Sequence, residues 1–226
     1  MNLLAVAAHP DDAELGCFGT LLEKKKQGDN VYAVALAPGA YGSHTLDDVR
    51  SSCERARAIL RKGVKGTGKA EYVLGTFPIG RLQHDWATVG FVDKLVQKYD
   101  IDAIVTHHYG EAHQDHIVAQ RVAVSAARRK VDSLWLWESS IYTHRNVFPF
   151  RPQLYVGISR EAFEGKMAAL EDYLSSGLLE KEEVEAHRHL AAYRGAEMHE
   201  AHAESFEVVW ELHGGEAGSR RVRPRG

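Results

Sequence analysis

The chain has little cysteine: two in 226 residues, Cys17 and Cys53, in no paired motif. That excludes a disulfide framework and fits a reducing cytoplasm, the expected location. Long apolar runs are also missing. Nothing approaches the ~20 apolar residues a membrane helix needs, so no membrane insertion is expected. The first apolar run, Leu3 to Ala8, has no basic leader and no long apolar core. It is not expected to act as a signal peptide. Net charge is only −3 with His neutral, which removes any global pull toward nucleic acid or anionic membrane. The exception is the end, Arg220-Arg221-Val222-Arg223-Pro224-Arg225. Residues 214–226 are read as a solvated tail after a single domain over 1–213. The Gly-rich stretch Pro38 to His44 lacks the lysine and spacing of a phosphate loop.

What is present is an alternation. Hydrophobic residues make up 44%, enough for one sizeable core. Strands are predicted near 3–8, 31–37, 71–75, 102–108, 133–138, 154–158 and 206–212. Helices are predicted near 15–27, 46–62, 86–99 and 117–129, from a Ser159 cap to about 174, and over 180–199. Strands alternating with helices predict an α/β fold: one Rossmann-like, doubly wound, mostly parallel sheet with helices on both faces.

The 13 His are many, and some stand beside carboxylates. Ala8-His9-Pro10-Asp11-Asp12-Ala13-Glu14-Leu15-Gly16 follows the first strand. Adjacent carboxylates repel and lose hydration when packed, so the Asp pair needs a cation or strong donors nearby. Helix capping would account for one Asp and for Glu14 in the first turn. It leaves His9 and the other Asp unexplained. His113, Asp115 and His116 follow the fourth strand in the same way. In the common doubly wound order, strands one and four are neighbours and their loops part at the switch point. Two loops rich in His and Asp would then face one crevice. Three protein ligands with an open position is the layout of catalytic zinc, and no thiolate stands near to suggest a closed structural site.

These segments resemble the two signatures of the LmbE-like (PIG-L) metal-dependent N-deacetylases. Leu74 to Leu82 is similar to a loop of that family, with Ile79 where an Asp is expected. Trp137-Glu138-Ser139, Phe150-Arg151-Pro152, Arg194-Gly195 and Ala203-Glu204-Ser205-Phe206 resemble later landmarks. The resemblance covers most of the chain. It implies removal of an N-acetyl group from a glucosamine-containing small-molecule conjugate, releasing acetate and a free amine. It implies one catalytic Zn²⁺ held by His9, Asp12 and His116, with Asp11 as general base. His113 would be the oxyanion partner, held by Asp115, and Arg50 a substrate-binding residue. A surface ion pair is the plainer account of Arg50. The chemistry is self-consistent. Bound zinc polarises an amide carbonyl and acidifies water, a free carboxylate moves the proton, and a protonated His kept charged by a neighbouring carboxylate stabilises the oxyanion.

Other readings stay open at this level: a hydrolase of another amide or an ester with the same centre, or a non-catalytic sugar- or metal-binding protein. The expected partner is a small N-acetyl sugar conjugate, with further copies of the chain possible. The remaining candidates have simpler explanations. Arg57 is read as a helical ion pair with Glu54, and His107 and His108 as a wall behind the site. His144 is placed in a solvated loop, and His187, His189, His199 and His202 on the surface. Trp135 and Trp137 are assigned to the core.

Overall fold

A computed structural model describes residues 1–40, 44–128, 130–138 and 148–213. His144 and the basic tail lie outside the described residues. The first strand shows why the sheet forms. Residues 3–7 are all fully buried, an unbroken apolar run rather than an alternation, because both faces of a parallel sheet are covered. Leu3, Ala5 and Ala7 face one core and Leu4, Val6 and Ala8 the other.

The elements run β1 (Asn2–Ala7), α1 (Asp12–Gly16), α2 (Phe18–Lys26), β2 (Asn30–Ala35), α3 (Leu46–Lys62), β3 (Ala70–Leu74) and α4 (Trp86–Lys98). They continue with β4 (Ala103–Thr106), α5 (Gln114–Ala127), β5 (Ser133–Trp137), β6 (Leu154–Gly157), α6 (Arg160–Ser175), α7 (Lys181–Glu197) and β7 (Ala203–Glu211). The sheet order is β3-β2-β1-β4-β5-β7-β6. β1 pairs in parallel with β2 (Ala5 opposite Ala33) and with β4 (Ala5 opposite Val105). β7 runs antiparallel to both of its neighbours, β5 and β6. The fold is the α/β, mostly parallel sheet that the alternation predicted.

Two departures matter for the site. The single helix expected over 15–27 is two helices, broken at Cys17 (φ −150°, ψ 13°). Distant side chains take up the groups the break frees. Glu204 of β7 accepts the Gly19 and Thr20 N–H groups at 3.1 and 2.6 Å. Lys166 of α6 donates to the Leu15 carbonyl at 2.8 Å and to Glu204 at 2.6 Å. All four hydrogen bonds are buried, so the break is anchored from the far end of the chain. The second departure is that α5 begins at Gln114, not near 117. His113 caps it by accepting the Asp115 N–H at 3.2 Å. Asp115 and His116 thus stand on a rigid first turn, where a carboxylate also suits the helix dipole.

His187 corrects a surface assignment. It is buried on α7, and its Nε2 has no hydrogen-bond partner. A helix with so many charged residues hid which face packs inward. His202 is half-buried and stacks on Phe163 at 3.7 Å, while His189 and His199 are exposed. Cys17 and Cys53 are buried free thiols.

Candidate metal centre

The turn after β1 is strained. Asp11 sits at φ +98°, a region that disfavours a side chain with a Cβ. Such outliers persist where surrounding structure holds them, and they gather at functional sites. The turn lets Asp12 start α1 and bend back, so that its Oδ2 accepts the His9 N–H at 2.7 Å. Gly16 ends the signature because a Cβ there would lie 2.5 Å from the Trp137 ring. Trp137, buried as expected, packs edge-on against His107 at 4.6 Å.

Pairing of β1 with β4 brings the second cluster across. His116 Nε2 lies 3.2 Å from Asp12 Oδ1, and His9 Nδ1 lies 3.6 Å from Asp12 Oδ2. The His9 and His116 rings are 5.3 Å apart. Asp12 therefore stands between the two imidazoles assigned with it to the metal. His107, read as a wall, comes equally near: its Nε2 is 3.3 Å from Asp12 Oδ2 and accepts the Ala8 N–H at 3.1 Å. Two tight groupings of metal-ligating atoms result, His9–His113–His116 and Asp12–His107–His116. His116 belongs to both.

The charge states fit a cation site. His116 is buried, which lowers an imidazole pKa, yet Asp12 and Glu111 flank it and raise it to about 10. Asp12 is buried too, but the His116 and His107 imidazoles hold it well below the usual carboxylate range. The flanking carboxylates thus favour positive charge at this position. His116 Nε2 and His107 Nδ1 are buried without a hydrogen-bond partner. Both line a narrow cavity with Asp12, Glu111, Trp137 and Glu138. An orphaned imidazole nitrogen beside a carboxylate, as His116 Nε2 is beside Asp12, suits a divalent metal. Asp11 differs from its neighbour. Burial, then the nearby Asp12 and Glu14 carboxylates, push its pKa well up, making it the stronger base. Glu14 is fully buried, accepts the Tyr72 hydroxyl at 3.4 Å and is raised by burial to about 7.

Two expectations about the second cluster change. The Asp115 carboxylate does not hold His113. It meets His9 Nε2 at 3.1 Å and accepts the Gly80 and Leu82 N–H groups at 2.6 and 3.3 Å. Only its backbone N–H touches His113. Nor is His113 kept charged: burial, then the His116 and His9 imidazoles, lower it to about 4. Since Nδ1 accepts the Asp115 N–H, the proton of the neutral ring is on Nε2. Arg50 lies on α3, two-thirds exposed, with Asp47 3.8 Å away, which favours the plain ion pair. Sequence reasoning missed Glu111, 3.2 Å from His116 Nδ1. An acid five residues before His116 was its only signal.

The doubly wound sheet thus carries a buried His–Asp cluster at its switch point, a donor set that suits a divalent cation. The PIG-L family, GlcNAc-PI de-N-acetylase, matches residues 4–127, more than half of the chain, and the chain belongs to it. It is 26% identical over 178 residues to the Uncharacterized deacetylase YaiS of Escherichia coli K12, covering 77% of this chain and 91% of that one. Among solved structures, the conserved protein TT1542 of Thermus thermophilus superposes with a TM-score of 0.77 at 26% identity, over 94% of this chain and 96% of that one. The N,N'-diacetylchitobiose deacetylase of Pyrococcus horikoshii gives 0.70 at 17%, over 92% and 83%. GalB of Pseudomonas putida KT2440, a 4-carboxy-2-hydroxymuconate hydratase, gives 0.74 at 16%, over 96% and 99%. The last two share the fold, and their differing reactions show that fold alone does not choose the chemistry. Family membership carries deacetylase chemistry, hydrolysis of an N-acetyl amide. Among the described residues, no helix is long and apolar enough to cross a membrane.

Proposed function

We propose that this protein is a zinc-dependent N-deacetylase of a glucosamine-containing small-molecule conjugate, working in a reducing cytoplasm. The observation that carries the reading is the placement of Asp12 between His9 and His116, with Asp11 next to it at a strained backbone position. His9 Nδ1, an Asp12 oxygen and His116 Nε2 would hold the ion. Zinc suits two imidazoles and one carboxylate without a thiolate. When bound, such an ion polarises the amide carbonyl and makes water more acidic.

The chain's own groups do the rest. The Asp11 carboxylate, with its raised pKa, takes a proton from the attacking water and later gives it to the leaving amine. Oxygen charge develops on the former carbonyl as the water attacks, and is lost when the protonated amine leaves. His113 Nε2–H is a neutral donor for that charge, in a site where a donor aimed at developing charge acts strongly. Asp115 fixes His9 through Nε2 and ties the loop after β3 to the same point, which keeps one wall of the crevice in register. Arg50 would contact substrate only by leaving Asp47.

The test is acetate release from a panel of N-acetylglucosamine conjugates by the zinc-loaded chain, beside a panel of simple esters. Turnover of at least one conjugate is expected. Ester turnover with no acetate from any conjugate would replace the deacetylase reading with an esterase one.

A further inference from the structure

We propose that Glu111 is a positioning residue for the metal. It fixes the His116 ring so that Nε2, and not Nδ1, is the ligating nitrogen. The inference rests on the reading of His116 as a ligand. Glu111 lies in the turn between β4 and α5 and is 5% exposed. Its Oε2 is 3.2 Å from His116 Nδ1, and its Oε1 is 3.9 Å from His107 Nδ1. A carboxylate so deeply buried needs donors, and imidazole edges face both of its oxygens.

The consequence for His116 follows from imidazole chemistry. A neutral ring donates from one nitrogen and offers a lone pair at the other. With Nδ1–H committed to Glu111, the lone pair is on Nε2. That nitrogen is buried, makes no hydrogen bond and lies 3.2 Å from Asp12 Oδ1. His9 has the mirror arrangement. Asp115 holds its Nε2 at 3.1 Å, leaving Nδ1 turned toward Asp12. Two imidazoles thus present opposite nitrogens to one carboxylate, each backed by an acid on its far side. Carboxylates behind ligating histidines fix the tautomer and raise ligand basicity, and losing one typically costs 10–100-fold in metal affinity.

The experiment compares Zn²⁺ affinity of the full chain, by competition with a chromophoric chelator, in wild type, Glu111→Ala, Glu111→Gln and His116→Ala. Glu111→Ala should bind Zn²⁺ roughly 10–100-fold more weakly than wild type. Glu111→Gln, whose amide oxygen still accepts the Nδ1–H, should recover most of that loss. If the Ala variant does not fold, Glu111→Asp takes its place, because it withdraws the carboxylate by one methylene and should show the same loss. Wild-type affinity in the Ala or Asp variant, with affinity lost in His116→Ala, overturns the role of Glu111 and leaves the metal reading standing. Gln as weak as Ala overturns the tautomer argument. Wild-type affinity in His116→Ala removes the ligand assignment, and this inference with it.

Discussion

Replacing Asp11 by Gly should make the protein more stable and almost inactive. At φ +98° a residue with a Cβ is strained, at a cost of about 1–3 kcal/mol. Gly removes that strain, but its freer unfolded chain takes back ~0.4–1 kcal/mol. The net gain is roughly 0–2.6 kcal/mol, and at ~2–4 °C per kcal/mol for a chain of this size the melting temperature rises by up to roughly 10 °C. Asp11→Asn keeps the shape and tolerates positive φ about as well as Asp, so its stability should stay near wild type. Both variants lose the proton acceptor, and kcat should fall by ~10²–10⁴, about 2.7–5.4 kcal/mol of barrier. The assay sets calorimetric melting beside acetate release and zinc content. A Gly variant less stable than wild type would refute the strain argument. An Asn variant with zinc bound and kcat unchanged would refute the base.

Asp12→Asn should lose zinc before it loses turnover, with activity partly restored by excess metal; equal zinc affinity in the variant and wild type would remove Asp12 from the ligand set. Chelating the metal should lower the melting temperature in proportion to the binding lost, ~2.7 kcal/mol when zinc had stood at a hundred times its dissociation constant. Lys166→Met leaves Glu204 buried without its cation and the Leu15 carbonyl without its donor. Urea unfolding should show a loss of ~3–5 kcal/mol, part of it regained in the Lys166→Met, Glu204→Gln double variant. A loss below about 1 kcal/mol would mean the pair is not holding the helix break. Burial and the neighbouring Lys166 lower His187 to about 3. Its unfolded pKa is ~6.5, so the unfolded chain takes up the proton first and stability falls as pH drops from ~6.5, by at most ~1.4 kcal/mol per unit. His187→Leu should flatten the fall between pH 7 and 5, and an unchanged slope would refute the assignment.

The parts that were legible in the sequence share a physical cause. The sheet follows from unbroken apolar runs such as Leu3 to Ala8, and the convergence of His9, Asp12 and His116 follows from β1 lying beside β4. Local pattern missed what depends on distant partners. The break at Cys17 cannot be inferred from residues 15–27, because Glu204 and Lys166 stabilise it. The family resemblance gave the Asp115 carboxylate to His113. The fold instead carries it to His9 and to the loop at Gly80. Glu111 drew no reading, since burial of a charge is set by what packs over it. His187 was hidden in the same way.

The antiparallel β7 has a consequence for how the chain is made. Emerging from the ribosome, residues up to Trp137 can assemble five parallel strands, and every candidate ligand is among them. Yet β5 keeps a bare edge while some 65 further residues are synthesised, and β6 has no strand to join until β7 wedges between them. An exposed edge is open to the wrong partner. The strand that closes it also delivers Glu204 to the base of α2. A nascent chain would therefore hold its ligands early and lock them last.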